Sequence, residues 1–303
     1  MHKKAVFEVL LAGVLWGVIS IFINNLSDAG FDSLQISLIR LSVAAVTFIT
    51  FLAVRDPKKL RIRLRDIWMF IGTGIVSVTL FNTCYFYTMI NSQASIAVVL
   101  LYTSPVWIML MSAALFKEKI TRRKLLALFV TLLGCVCVTG LIGGRIVLSP
   151  VTALTGIASG IFYGLYTIFG KYALTRYDSM TVTAYTFLFG LIGSLPLGQP
   201  ARTVEIIRAN PRVLIWCIGI GLISTVLPYF LYTAGLKYLD SGRASILVAV
   251  EPLVGAIIGM TVYHEEHGVL KIIGIVLILG AIILLNLPDK TGEDEAAGQS
   301  RRR

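Results

Sequence analysis

The sequence predicts an all-α polytopic membrane protein, with ten transmembrane helices arranged as two inverted five-helix repeats. Three observations lead there. Of its 303 residues, 56% are hydrophobic and only 14% charged, whereas a soluble domain carries about a quarter charged residues. The charges cluster between apolar stretches of roughly 20 residues, the length a helix needs to cross the hydrocarbon core. Third, the chain matches itself at an offset of 147 residues.

Taken in order, the expected spans are about 6–26, 34–54, 67–89, 94–116, 125–142, 153–171, 179–198, 213–235, 244–263 and 269–287. The start, Met1-His2-Lys3-Lys4 before an apolar run, resembles a signal peptide. That run continues to Leu26, too long for a signal-peptide core, and no small-residue cleavage site follows, so it reads as a retained first span. The polar stretch 289–303 carries both signs of charge and reads as a disordered cytoplasmic tail. Basic residues concentrate in the loops 55–65 and 117–124, which the positive-inside rule assigns to the cytoplasm together with both termini. The second half of the chain, with Arg202, Arg208 and Arg212 on the opposite side, constrains the orientation less.

The net charge of +11 does not point to nucleic acid. The cations sit in short loops between apolar runs and form no single stripe, so the bilayer is the expected partner and a nucleic acid is not. Cys84, Cys135, Cys137 and Cys217 all fall inside apolar runs with no zinc-ligand spacing, which favours packing roles over disulfides.

The offset pairs Gly13 with Gly160, Gly17 with Gly164, Tyr85 with Tyr232, Ala97 with Ala244, Pro105 with Pro252, Glu118 with Glu265 and Lys124 with Lys271. It divides the chain into a first five-span repeat, 1–145, and a second, 146–288. An odd number of spans makes the second copy enter the membrane from the opposite side. Inverted repeats are a recurrent architecture of secondary transporters, with the substrate site near the midplane between the halves.

With these residues in place, the chain resembles the drug/metabolite transporter superfamily and in particular its EamA-like family. The resemblance rests on Trp16-Gly17, Arg40, and Ala94-Ser95-Ile96 leading to Pro105. In the second half it rests on Tyr163-Gly164, Gly242-Arg243-Ala244-Ser245-Ile246 and Glu251-Pro252. Glu118 and Glu265 sit where that family often carries an acid closing these spans. The chain has Lys117-Glu118 and His264-Glu265 where a Gly-Glu pair is frequent. The resemblance covers nearly the whole length and implies transport, with export as the direction. It leaves the cargo open, because the fold is shared by members with different substrates.

Several residues could carry the chemistry. Glu251 lies seven residues into its span, where an ionised carboxylate is costly and is expected to face the bundle interior or a watery cavity. Gly255 and Gly259 follow on the same helix face, which suits close helix contact. Desolvation penalises the ionised carboxylate, which suits a proton-coupling role; a structural hydrogen bond is the alternative. Pro105 and Pro252 sit mid-span and deprive the carbonyls of Leu101 and Val248 of their helical donors. They are hinge candidates, or simple kinks for packing. Gly13, Gly17, Gly160 and Gly164 are spaced for helix packing.

Ser20, Asn24 and Thr167 extend those glycine stripes and could meet a substrate or bridge helices. Aromatic residues are numerous, namely Trp16, Tyr85, Tyr87, Tyr102, Tyr163, Tyr166, Tyr229 and Tyr232, and several lie well inside spans, away from the interfacial belts where such residues collect. Each buried hydroxyl needs a partner, supplied by a cavity or by a neighbouring helix. As a group they favour a substrate with apolar and polar parts. Arg40 could snorkel outward, pair with an acid or grip an anionic group, and a structural role is the preferred expectation because snorkelling is within its reach. The run His264-Glu265-Glu266-His267 has no further ligand cluster, so no metal site is expected.

No histidine lies at membrane depth, Glu251 has no second acid on a facing span, and no phosphate-binding loop is present. These features disfavour an intramembrane hydrolase and an ATP-driven pump. No ring of like charges suggests a channel. The expectation is a cofactor-independent secondary carrier of small organic metabolites, such as amino acids, related metabolites or amphipathic drugs, with proton coupling through Glu251. Import of a vitamin or nucleoside-like metabolite, and a non-transporting receptor, are the alternatives. Both halves are present, so a functional monomer is expected, with a dimer as the other case.

Overall fold

A computed structural model describes residues 2–92, 94–139, 148–264 and 268–287. The tail, the segment 140–147 and Glu265, Glu266 and His267 of the histidine-flanked run lie outside the described residues. The fold is all-helical. Its long helices are α1 (His2–Asp28), α2 (Ser33–Arg55), α3 (Leu64–Ile90), α4 (Ser95–Phe116), α5 (Arg122–Val138), α6 (Pro150–Leu174), α7 (Ser179–Ser194), α8 (Pro211–Leu236), α9 (Ser241–Thr261) and α10 (Val269–Asn286). Eight of these are long and apolar enough to cross a membrane. The two shorter ones are α5, with 17 residues, and α7, with 16. A short helix, Pro200–Ala209, precedes α8.

Helix starts follow capping chemistry. Asp32 and Gln35 form a reciprocal capping box at the head of α2, with bonds of 2.8 and 2.9 Å. Ser149 with Pro150, and Asp178, start α6 and α7 with one-way caps, their side chains accepting from Thr152 N and Thr181 N. Several expected boundaries shift, two of them for local reasons that the structure shows. Helix α5 begins at Arg122, before position 125, because the Thr121 hydroxyl accepts from Lys124 N at 3.2 Å. Helix α7 ends at Ser194, before position 198, as befits a chain approaching Pro196.

The helices interlock across the two halves of the chain. Helix α1 packs on α8 and α9, and α6 packs on α3 and α4. Helices α2 and α7 face each other, as do α5 and α10. Glycines set the closest approaches. A Cβ added at Gly13 would stand 2.9 Å from the Val248 carbonyl oxygen, and one at Gly17 2.8 Å from that of Glu251. The partners 147 residues on behave alike: a Cβ at Gly160 would lie 3.0 Å from the Leu100 carbonyl oxygen, and one at Gly164 3.0 Å from Ile108 Cγ1.

Besides an interruption of α1 at Val18, four long helices depart from α geometry. Helices α4 and α9 each break just ahead of their proline, at Tyr102–Thr103 and Val248–Ala249. Helices α3 and α8 each contain a π-helical stretch, Gly72–Thr79 and Leu222–Val226. In both, a threonine hydroxyl donates to the carbonyl five residues back, Thr79 to Gly74 at 3.3 Å and Thr225 to Ile220 at 2.9 Å. The Val248 carbonyl is not left free, as the proline pattern alone suggests: it accepts from Glu251 N at 3.0 Å. The tighter turn at the break brings that amide within reach.

One end of the bundle is tied by Glu118. Lys117 closes α4 at φ 56, in the left-handed conformation of a helix terminus. Beyond it, the Glu118 carboxylate accepts from Ser241 N at 3.1 Å, from Ser241 Oγ at 3.0 Å and from Gly242 N at 3.5 Å, and pairs with Lys171 of α6. It thus satisfies amides at the start of α9 that no helical carbonyl reaches, and complements the positive end of that helix. Burial pushes the Glu118 carboxyl up, but the bonds from Lys171 and Ser241 outweigh it and hold it below the ordinary carboxylate range. A carboxylate so lowered stabilises the fold fully above its unfolded value of about 4.3, and this contribution is lost as pH falls through the folded value.

Two stability predictions follow from this packing. Gly17→Ala is expected to destabilise the protein by about 1–3 kcal/mol through overpacking. Gly280→Ala should be close to neutral, because a Cβ there meets nothing within 4 Å. Thermal melts in detergent compare the two. Glu118→Gln should cost about 1–3 kcal/mol at neutral pH, with the gap to wild type closing as pH falls below about 4. A gap independent of pH would contradict the role given to the charge.

Candidate functional site

Between the halves lies a cavity of about 210 Å³, lined by α1, α2, α3, α4, α6, α8 and α9. Six aromatic rings line it, those of Trp16, Phe81, Tyr85, Phe86, Tyr163 and Tyr229. The rings brace one another. Trp16 meets Tyr229 edge-on at 4.9 Å, and Phe81 meets Tyr163 edge-on at 5.3 Å. Offset and edge-on contacts of this kind stiffen a wall while leaving hydroxyls available.

Two charges enter this apolar space. Glu251 stands in the first turn after the break in α9, so the break aims it into the cavity. Arg40 comes from α2, where Ser33, Ser37 and Arg40 form a polar stripe at helical spacing along the cavity wall. Its Nε donates to Thr225 Oγ1 at 3.0 Å, and that threonine belongs to the π-helical stretch of α8. Irregular backbone therefore positions both charges. No ion pair within 4.0 Å joins Arg40 to Glu251. The outward snorkelling expected of Arg40 is not what the structure shows. Thr225 supplies an internal acceptor that the sequence of α2 does not reveal.

A second cavity, of about 360 Å³, adjoins the first through Trp16 and Glu251. Gly17, Ser20, Tyr102, Pro252 and Gly255 line it. The Ser20 hydroxyl is buried and has no hydrogen-bond partner among the described residues. Gly255 comes no closer to α1 than 4.0 Å, the distance from an added Cβ to the Gly17 carbonyl oxygen, so it leaves room.

The candidate residues divide accordingly. Glu251, Trp16, Tyr85, Tyr163 and Tyr229 converge on the first cavity, and Ser20 and Tyr102 on the second. Tyr166 lies deeper, its hydroxyl 2.5 Å from Thr233 Oγ1, and Tyr232 is likewise 2.8 Å from Thr167 Oγ1. Those two hydroxyls bridge α6 to α8. Tyr87 is 43% exposed and faces out of the bundle. Pro105 is buried behind the break in α4 and lines neither cavity. Ser37 and Asn82 are cavity residues that the sequence reading did not single out. The polar stripe Ser33–Ser37–Arg40 was the available signal.

Among known proteins, an uncharacterized transporter of Archaeoglobus fulgidus is 28% identical over 285 residues, covering 91% of this chain and 94% of its own. The uncharacterized inner membrane transporter YicL of Salmonella typhimurium is 24% identical, covering 95% of this chain and 97% of its own. A probable terminal-alkyne amino-acid exporter of Streptantibioticus cattleyicolor is 23% identical, covering 99% of each chain. A solved crystal structure superposes with a TM-score of 0.76 at 15% identity, over 94% of this chain and 97% of that one, which establishes a shared fold. The EamA-like transporter family matches residues 3–140 and again 151–287. With its membrane-length apolar helices the protein is a multi-pass membrane transporter, and the chain belongs to the EamA-like transporter family.

Proposed function

We propose that this transporter is a secondary active carrier of small zwitterionic metabolites with an apolar portion, of which amino acids are the simplest. It crosses the membrane ten times, as two inverted five-helix repeats, and works by alternating access. The observation that carries the substrate class is the pair Arg40 and Glu251. Opposite charges face one aromatic-walled cavity without closing on each other. A bound carboxylate would meet the guanidinium, a bound ammonium would meet Glu251, and the aromatic walls would hold the apolar part.

The repeat reading is supported by packing that recurs at the 147-residue offset. The contacts of α1 with α8 and α9 have counterparts in those of α6 with α3 and α4. The breaks in α4 and α9, and the π-helical stretches of α3 and α8, overlap at that offset too. Rocking of one half on the other would open the cavity alternately to each side, with Pro105 and Pro252 as the bending points. The Glu118 tie would hold one end shut and release in the opposite state. Glu251 is the coupling group of this reading: it binds a proton or the substrate ammonium, and its desolvated site penalises leaving the carboxylate bare. Both termini face the cytoplasm by the distribution of basic residues. Export agrees with the name of the Streptantibioticus relative, a probable amino-acid exporter. A single chain carries both halves, so it acts as a monomer.

The decisive measurement is flux of labelled amino acids by purified protein in liposomes, with and without a proton gradient. Saturable, gradient-sensitive flux is expected. Glu251→Gln should abolish the gradient sensitivity; an unchanged rate and pH profile would remove the coupling role. Arg40→Gln should weaken binding of a carboxylate-bearing substrate by about tenfold to a hundredfold, the loss of a charge-assisted hydrogen bond. A matched amine lacking the carboxylate should be indifferent to that change, and an equal loss for both would sink the assignment of Arg40. Pro105→Ala and Pro252→Ala should slow flux while leaving substrate binding intact. Full activity of both would dispose of the hinges.

A further inference from the structure

At the end of the bundle where α6 terminates, a second site is built on the surface, away from the transport cavity. A pocket of about 460 Å³ is lined by Lys58, Lys59, Arg61, Arg63 and Arg176, against only two carboxylates, Asp66 and Asp178. Both carboxylates are already engaged. Asp66 is fully buried and accepts from Tyr177 Oη at 2.7 Å and from Arg176. Asp178 caps α7 through Thr181 N at 2.9 Å and lies 3.5 Å from Lys59 Nζ. Lys58, Arg61 and Arg63 have no ion-pair partner among the described residues.

The loop bearing these cations is not a loose tether. It runs through two short 3-10 turns, Pro57–Leu60 and Leu64–Asp66. Residues from the other half of the chain hold it at three points: Thr181 Oγ1 donates to the Lys59 carbonyl at 3.0 Å, Tyr185 Oη donates to the Leu60 carbonyl at 2.6 Å, and Tyr177 Oη accepts from Arg63 N at 3.0 Å. Preorganised cations around a pocket, in excess of their internal counter-charges, are the arrangement that binds phosphate. The positive-inside tendency accounts for basic residues in this loop, but not for their being pinned around a cavity.

We propose that this pocket binds the phosphate-bearing headgroup of an anionic phospholipid. A lipid is favoured over a soluble phosphate ester by the apolar surface beside it. Leu64 and Trp68, on either side of Asp66 in the chain, are 84% and 46% exposed. Trp68 stacks edge-on with Phe169 and Tyr172, at 6.1 and 5.9 Å, as an interfacial anchor does. A headgroup held by the cations would thus lie beside exposed apolar residues, close in the chain to the pocket-lining Arg63 and Asp66, for its acyl chains to meet. Basic pockets between membrane helices recognise lipid headgroups by this chemistry.

Thermal melting of the purified full chain in neutral detergent tests the site, with phosphatidylglycerol, phosphatidylcholine of the same acyl chains, or glycerol phosphate added. Phosphatidylglycerol is expected to raise the melting temperature by several degrees, and the other two to leave it unchanged. The triple substitution Lys58→Gln, Arg61→Gln, Arg63→Gln should abolish that shift; its melting in phosphatidylcholine, unchanged from wild type, reports that it folds. Lys117→Gln, Lys119→Gln, Arg122→Gln, which removes equal charge at the same end of the bundle, should retain the shift. The proposal fails if wild type shows no shift or if the pocket variant keeps it. It fails equally if the control variant loses it, or if phosphatidylcholine matches it. Glycerol phosphate reproducing the whole shift would overturn the lipid assignment in favour of a soluble phosphate ester.

Discussion

Hydrocarbon offers no hydrogen-bond partner, so a chain that crosses it must satisfy its amides and carbonyls within its own helices. Departures from helix are tolerated only where protein or a watery cavity takes over that task. In this transporter such departures are few, and they cluster. The breaks in α4 and α9 lie against the glycine faces of α6 and α1, and the π-helical stretches of α3 and α8 are stitched by threonine hydroxyls. Each of these irregularities is thus covered, either by a neighbouring helix or by a threonine hydroxyl of its own helix. The cavity exists where they converge.

The same constraint explains why small residues and charges cooperate here. Gly17 allows the backbone of α1 to approach the carbonyl of Glu251, and the break that produces this approach also turns the Glu251 side chain toward the cavity. Arg40 is held by Thr225, a residue whose hydroxyl serves at once as acceptor for the guanidinium and as donor to the Ile220 carbonyl. A charge at membrane depth is costly unless such partners are fixed beforehand. Substitutions around the cavity will therefore couple, since one group often satisfies two others.

Polar ties distinguish the end of the bundle where α4 and α6 terminate. Glu118 joins the end of α4 to the start of α9 and to α6, and Asp66 joins the start of α3 to the residues after α6. Helix α6 thus anchors two separate networks, one capping a broken helix and the other arranging a basic pocket. Both rely on carboxylates shielded from water, where charge-assisted bonds are strongest.

The sequence by itself determined the class of solvent, the sites of most helices, the repeat offset and the family resemblance. Each is written in local composition or in identity at fixed spacing, which needs no partner to be read. It also marked Glu251, Trp16, Tyr85, Tyr163 and Tyr229, because charge and aromatic hydroxyls at depth are conspicuous against an apolar background. Other matters were decided only by tertiary structure. Arg40 turned inward because Thr225, far along the chain, met it; Tyr166 became a bridge because Thr233 lay opposite. The π-helical stretches and the pocket around Asp66 left no one-dimensional signature. A side chain's direction depends on which acceptor or void stands across from it, and that is settled when helices distant in sequence pack together.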